Sequence, residues 1–397
     1  MTDRKPGDDT RLIHSDYQVP AGFVSLSTPV HHASTVVFPT AEAYRNRREP
    51  LYDGYLYGLT GMPTSMTLAQ RIADLEGGHR AVLTPSGLSG ITLVYLALSH
   101  HGDHVLVPDN AYAPSRELGD RLLTQLGVEV EYYDPLAGAG IAALLRHNTR
   151  LVWVESPGSI TMEVQDVPAI AAAAHTCGAL VAIDNTWSAG VYFKPFAHGC
   201  DISLQAVTKY IGGHADLLLG AATAIDEALY RRLKDMAGIL GLGAAPDDCF
   251  LALRGLPTLT ARLRSHQASA LVVAGWLRQR PEVKRVLHPA LADCPGHALW
   301  RRDFTGSSGL FSVILNDQYS RAAVDRLIDG LRYFKIGASW GGPVSLALPL
   351  DPRPLRTAVP WREAGQLVRF SIGLEDAADL IADLEQGLAR MVGNIQK

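Results

Sequence analysis

An alternation running through the first two-thirds of the chain limits its possible folds more than any other feature. Short β-rich runs at 81–84, 104–107, 128–133, 151–155 and 179–183 are separated by helical stretches at 89–98, 114–126, 139–146 and 167–175. Strands that alternate with helices pair in parallel through right-handed crossovers, and helices then cover both faces of the sheet. Ligands of such sheets bind beyond the carboxyl ends of the strands. Ahead of this pattern, a helix is expected from Thr64, with Leu68, Ile72 and Leu75 at helical spacing and Gly77-Gly78 as its stop. Residues 1–60 hold Pro20, Pro29, Pro39 and Pro50 with little periodicity and read as an arm. The alternation fades after about Arg254, where helical stretches at 258–280 and 376–392 mark a second region. The expected organisation is an arm over 1–60, a large domain over 61–255 and a C-terminal domain over 256–397.

Composition narrows the function classes. With 397 residues, 47% hydrophobic and 19% charged, the chain can bury a core larger than one small domain. A net charge of −4 argues against nucleic acid or an acidic membrane as partner. Arg45, Arg47 and Arg48 form the one basic cluster; they can bind an anion but read as a solvated helix face. Cys177, Cys200, Cys249 and Cys294 are far apart, and His31-His32 and His100-His101 are not at helical metal spacing, so no metal site is expected. The opening MTDRKPGDDTRL lacks the apolar stretch of a signal peptide, and no apolar run reaches bilayer-spanning length. A soluble, reduced, cytoplasmic protein is the expectation. GLGAAP at 241–246 looks like a dinucleotide loop only superficially, since no strand precedes it and the third glycine is missing.

Three features can carry chemistry. TPSGLSG at 84–90, with Ser86, Gly87 and Leu88, is a strand, a glycine turn and a helix start, which gathers backbone N–H groups around one spot and suits a phosphate. Asp184 leaves the apolar strand VAID at the sheet's carboxyl edge. Lys209 in VTKYIGGHAD follows the half-apolar run DISLQAV. Each has a plain structural alternative: an ordinary turn, an aspartate satisfying local amides, and a lysine reaching out to solvent. Together they suggest one chemistry. A lysine amine can form a Schiff base with an aldehyde cofactor, and a carboxylate can keep that cofactor's pyridine nitrogen protonated.

DNTW at 184–187 followed by TKYIGGHAD at 208–216 resembles the signature of the Cys/Met-metabolism pyridoxal-phosphate enzymes. NAYAPS at 110–115, ESPGSITMEV at 155–164, HPAL at 288–291, RDFTGSSGLFS at 302–312, SWGG at 339–342 and RFSIGLED at 369–376 narrow the resemblance to the bacterial-type cystathionine β-lyase branch. It runs from about Asp9 to Met391. The resemblance implies a fold-type-I, aspartate-aminotransferase-like α/β architecture: a large domain with a mostly parallel sheet, plus a smaller C-terminal α/β domain. It implies pyridoxal 5′-phosphate as cofactor, a sulfur amino acid as substrate, and a homotetramer whose dimers share active sites. By motif match, Lys209 would bond the cofactor and act as the catalytic base, and Asp184 would pair with the ring nitrogen. Tyr112 would stack on the ring and, with Lys209, is a candidate proton donor to the leaving group. Ser86, Gly87, Leu88 and Thr208 would hold the phosphate, and Tyr57 would reach it from the neighbouring subunit and line the substrate site. Arg369 would clamp the substrate carboxylate in a pocket lined by Ser339 and Trp340. The implied reaction is β-elimination of L-cystathionine to homocysteine, pyruvate and ammonia, in methionine biosynthesis. A γ-lyase, a γ-synthase or a cysteine desulfhydrase would use the same residues, and a non-catalytic cofactor-binding scaffold would be expected to lose one of them.

Tyr112 and Trp340 also suit simple packing, and His214 is read as structural. The chain departs from the family pattern in the arm, where Tyr57-Gly58-Leu59-Thr60 replaces the usual Tyr-x-Arg. Leu59 removes a cation, and with it on the order of 1.5–3 kcal/mol of charge-assisted hydrogen bonding to an anion. Ala206 stands where relatives often place a hydroxyl residue.

Overall fold

A computed structural model describes residues 7–14, 22, 25–47 and 51–392. The opening hexapeptide, Pro20, Arg48 and Pro50 lie outside them. Two sheets organise the chain. The first has seven strands: β1 (Arg80–Thr84), β2 (His104–Pro108), β3 (Glu129–Tyr133), β4 (Thr149–Glu155), β5 (Leu180–Asp184), β6 (Ile202–Gln205) and β7 (Gly220–Ala224). Their order is β1-β7-β6-β5-β4-β2-β3. β2 pairs in parallel with β3 and β4, β4 with β5, and β5 with β6. β7 is antiparallel to both β1 and β6, so β1 points the same way as the parallel set. Six strands therefore deliver their carboxyl ends to one edge.

Residue alternation explains why both faces are covered. Val105, Val107, Leu151, Trp153 and Ala182 pack on one side, in a cluster with residues of the helices Gly87–Leu98 and Glu227–Leu240. Leu106, Val152, Val154, Val181 and Ile183 join the opposite cluster, with helix Val167–His175. Successive strand residues point to opposite faces, and here both faces are apolar, as a parallel sheet requires. Helix Pro63–Glu76 adds Leu68, Ile72 and Leu75 to a further cluster with Leu83 and Ala221.

The second sheet contains β8 (Val283–Leu287), β9 (Leu310–Leu315), β10 (Leu346–Leu350) and β11 (Leu367–Ser371), in the order β10-β11-β9-β8. All its pairings are antiparallel. Its residues Val286, Phe311, Val313, Val368 and Phe370 pack with helices Leu259–Leu277, Arg321–Asp329 and Ala377–Val392. The helix Leu259–Leu277 belongs to both units: Leu259 and Leu263 join the core around Ile211, and Ala270, Val273 and Leu277 join that of the second sheet. A large, mostly parallel sheet with a smaller C-terminal unit is the architecture expected from the sequence.

Local details differ from expectation. The helix expected over 114–126 starts as an α-helix, Ala113–Leu118, widens into a π-helical turn, Gly119–Leu123, and ends in α-helical residues 124–125. The stretch 139–146 is a 3-10 helix, Gly138–Leu144, that buries only Ile141. Gly138 (φ +50°) and Gly140 weaken any longer helix there. The arm, read from its low periodicity as an arm and not a domain, contains two short helices, Asp8–Ile13 and Ala41–Arg45. Leu12 of the first is buried. Arg45 is exposed, as a solvated helix face requires.

Candidate active site

At the carboxyl end of β1 the chain turns through Ser86 into helix Gly87–Leu98. Ser86 caps that helix, its Oγ accepting from Ser89 N–H at 3.1 Å. Among the described residues, the N–H groups of Gly87 and Leu88 take part in no hydrogen bond. Two free amides at the positive end of a helix form an anion site. Gly87 is required by a close approach: a Cβ there would lie 2.8 Å from Ala206 Cβ. The turns after β1 and β6 are thus pressed together. Thr208, on the second turn, has its hydroxyl engaged by the backbone, donating to Leu219 O (3.1 Å) and accepting from Leu219 N–H (3.0 Å).

β5 ends in Asp184. Its Oδ1 accepts from both Thr186 N–H (3.0 Å) and Thr186 Oγ1 (2.5 Å), and Oδ2 has no hydrogen-bond partner among the described residues. Burial raises the Asp184 pKa against these bonds, the Glu76 charge adds to the rise, and Lys209 opposes it. In register on β4 stands Glu155, a buried residue. Burial first, and then the Asp184 charge, push its carboxyl well above the usual range. Glu155 Oε2 accepts from Tyr112 N–H at 2.8 Å, which anchors Tyr112 at the start of helix Ala113–Leu118. The Tyr112 hydroxyl is raised by burial and by Asp184 and Glu155, with Arg369 opposing. It is a neutral phenol at pH 7.

Lys209, after β6, is half-buried, and its Nζ donates to Ser339 Oγ at 2.7 Å. The same nitrogen lies 5.5 Å from the centre of the Trp340 ring. Burial and the nearby Arg369 charge bring the Lys209 pKa down to about 8, against the pull of Asp184. Gly341 (φ +83°) lets the Ser339 segment lie on the Lys209 backbone, since a Cβ there would come 3.1 Å from Lys209 C.

Arg369, on β11, is 8% exposed, and its one hydrogen bond among the described residues runs from Nη1 to Ser159 O at 3.4 Å. Arg116 and Arg356 are as buried, but they face Asp109 (3.0 Å) and Glu163 (2.6 Å). Arg262 donates to the carbonyls of Tyr210 and Gly255. A buried cation without an anion is costly. Arg369 therefore marks a place for an external carboxylate.

The chain thus gathers Lys209, Asp184, Tyr112, Ser339, Trp340, Arg369 and the Ser86–Gly87–Leu88 turn along one edge. Tyr57 is elsewhere: it is 48% exposed on the arm, bridges to Thr35 and makes none of these contacts. A cavity of about 1370 Å³ lies under the arm, lined by Tyr52, Leu59 and Lys234 among others and by none of the edge residues. His214 Nδ1 is 2.7 Å from Gly212 O, a local turn contact. Gly241 of GLGAAP has φ +67° and ends helix Glu227–Leu240, as an ordinary cap does. Sequence reading missed Glu155, although LVWVE leaves its buried strand on an acid just as VAID does.

Residues 9–389 match the family described as Cys/Met metabolism PLP-dependent enzyme. The chain belongs to that family. Pyridoxal 5′-phosphate is its cofactor, and the edge residues fit it: free helix-end amides suit a phosphate, Asp184 Oδ2 a protonated ring nitrogen, and an amine of lowered pKa an aldehyde. Within the family, the chain is 48% identical to a protein of Rhizobium johnstonii named putative cystathionine beta-lyase, covering 96% of each. It is 42% identical to cystathionine beta-lyase MetC of Escherichia coli, covering 99% of this chain and all of the other. The crystal structure of cystathionine gamma synthase from Xanthomonas oryzae pv. oryzae, in complex with aminoacrylate and cysteine, superposes with a TM-score of 0.89 at 33% identity, covering 99% of this chain and all of that one. Among the described residues, no helix is long and apolar enough to cross a membrane.

Proposed function

We propose that this enzyme is a carbon–sulfur β-lyase that cleaves L-cystathionine to homocysteine, pyruvate and ammonia, a step of methionine biosynthesis. The geometric observation behind it is Arg369, a buried guanidinium that makes no salt bridge to a carboxylate among the described residues, beside a lysine of lowered pKa. The names of the near full-length relatives support the choice of β-elimination.

In this reading Lys209 would hold the cofactor at its aldehyde, Asp184 would pair with its ring nitrogen, and Tyr112 would pack on the ring. Ser86, Gly87, Leu88 and Thr208 would hold the phosphate; to donate to it, the Thr208 hydroxyl would release Leu219 O. Bound pyridoxal phosphate supplies a ring that draws electron density from the substrate's Cα. Arg369 holds the substrate α-carboxylate through two parallel N–H···O bonds. Freed by the incoming substrate amine, Lys209 Nζ, whose pKa burial and Arg369 lower to about 8, would take the Cα proton. Ser339 Oγ, which accepts from that amine, aims it. The departing sulfur takes its proton from Lys209 or from Tyr112. Trp340 covers one side of the amine and limits water there.

The enzyme is read as a cytoplasmic homotetramer whose dimers share active sites, with Tyr57 of the partner subunit reaching the phosphate. The exposure of Tyr57 in the single chain supports this. Replacing Lys209 by alanine tests the reading: turnover of cystathionine should fall by at least about a thousandfold with the chain still folded. Full turnover by the cofactor-loaded variant would overturn it.

A further inference from the structure

Asp109 is fully buried at the end of β2, three residues before Tyr112. Its Oδ1 accepts from Arg116 Nη1 (3.0 Å), Thr357 N–H (2.9 Å) and Thr357 Oγ1 (3.2 Å). Its Oδ2 accepts from Ala358 N–H (3.0 Å) and Val359 N–H (2.8 Å), with Arg356 Nε at 3.3 Å. Three consecutive amides of the segment between β10 and β11 thus close around one carboxylate from the large sheet. Burial alone would raise the Asp109 pKa, but these amides and Arg116 hold it below the usual carboxylate range.

A second carboxylate completes the junction. Glu163 Oε1 accepts from Arg356 Nη1 (2.6 Å), and Oε2 accepts from Asn110 Nδ2 (3.1 Å) and Thr161 Oγ1. Ser159 N–H donates to Asn110 O (3.2 Å), and Ser159 O receives Arg369. Three segments therefore meet: the turn that carries Tyr112, the loop whose carbonyl meets Arg369, and the segment 356–359 that leads into the Arg369 strand. Buried ion pairs are poor sources of net stability compared with apolar packing, so their placement calls for another reason. Here they tie together the two sides of the substrate gap.

We propose that Asp109, seconded by Arg356, is a positioning residue that sets the spacing between Tyr112 and Arg369. The proposal rests on the roles given to those two residues above. Displacing either side by about 1 Å is enough for losses on the order of a hundredfold. Asp109→Asn keeps the side chain's shape but turns an acceptor into a donor facing amides.

The test uses the cofactor-loaded enzyme and variants Asp109→Asn and Thr357→Val, the second at an exposed residue whose hydroxyl donates to Asp109 Oδ1 and accepts from Arg116 Nη2 (3.0 Å). Four quantities are read: cofactor per chain, visible circular dichroism of the bound cofactor, the dissociation constant of glycine from the cofactor's absorption change, and KM and kcat for cystathionine. Asp109→Asn should keep cofactor stoichiometry, alter the dichroism and raise the glycine dissociation constant on the order of ten- to a hundredfold. Thr357→Val should shift it the same way by a few-fold. Unchanged glycine affinity and dichroism in the folded variants would overturn the proposal, whatever their melting temperature, because they would leave Asp109 a purely structural role. Should Asp109→Asn not fold, Thr357→Val and Arg356→Lys decide by the same two readouts. Glycine binds without elimination, so wild-type enzyme that binds glycine but fails to split cystathionine sinks the lyase reading alone. Wild-type enzyme that fails to bind glycine overturns both.

Discussion

At the residue scale the site is governed by charges held where water is scarce. Burial and the Arg369 charge depress the Lys209 pKa, and Arg369 makes no salt bridge to a carboxylate among the described residues, so a bound amino acid's carboxylate would neutralise the guanidinium beside the base. Arg369→Leu should lower kcat/KM by about 10²–10⁴-fold, the loss of two charge-assisted hydrogen bonds. The variant should also raise the Lys209 pKa, because a neighbouring cation disfavours an ammonium and its removal relieves that. The acidic limb of kcat, which reports the substrate complex where Lys209 is free, would then move to higher pH, measurable in a pH–rate profile. An unmoved limb would detach Arg369 from Lys209. Lys209 and Asp184 were legible in the sequence, since each stands just past a recognisable strand in a distinctive motif. Glu155 and Asp109 were not, because their meaning lies in partners far along the chain: Tyr112 for the first, Thr357 to Val359 for the second.

At the scale of elements, the phosphate corner depends on two turns touching. Gly87→Ala would bring a Cβ to 2.8 Å from Ala206 Cβ, closer than such atoms approach, so one turn must move. Overpacking of this kind typically costs about 1–3 kcal/mol, and here it should weaken cofactor binding roughly tenfold or more, measured by equilibrium dialysis. Adding Ala206→Gly should restore much of the affinity, since the clash is with that methyl group. No loss in the single variant would contradict the pressed-turn geometry. The same scale shows what a sequence conceals. β2, β4 and β5 were legible because both their faces are apolar and β-branched. β7, GAATA, was missed because small residues carry almost no strand signal, although it bridges β1 and β6. The family resemblance implied the α/β character of the C-terminal unit, but periodicity did not mark its strands, and helix Leu259–Leu277 lends residues to two cores, which blurs any boundary read from periodicity.

At the scale of the whole molecule, the arm is the least settled by its own chain. Tyr57 and Leu59 are 48% and 40% exposed, and Leu59 lines a cavity that takes in none of the edge residues, as expected if they serve a partner subunit's site. If so, Leu59→Arg should restore the missing cation and lower KM for cystathionine on the order of tenfold, with little change for cysteine, which lacks a distal carboxylate. Steady-state kinetics on both substrates would check this, and equal effects on the two would place Leu59 outside the substrate's reach. The central claim is the reaction itself. Incubating the purified, cofactor-loaded enzyme with L-cystathionine and identifying the keto acid tests it most directly. The account predicts pyruvate together with homocysteine; 2-oxobutyrate together with cysteine would contradict it and make the enzyme a γ-lyase.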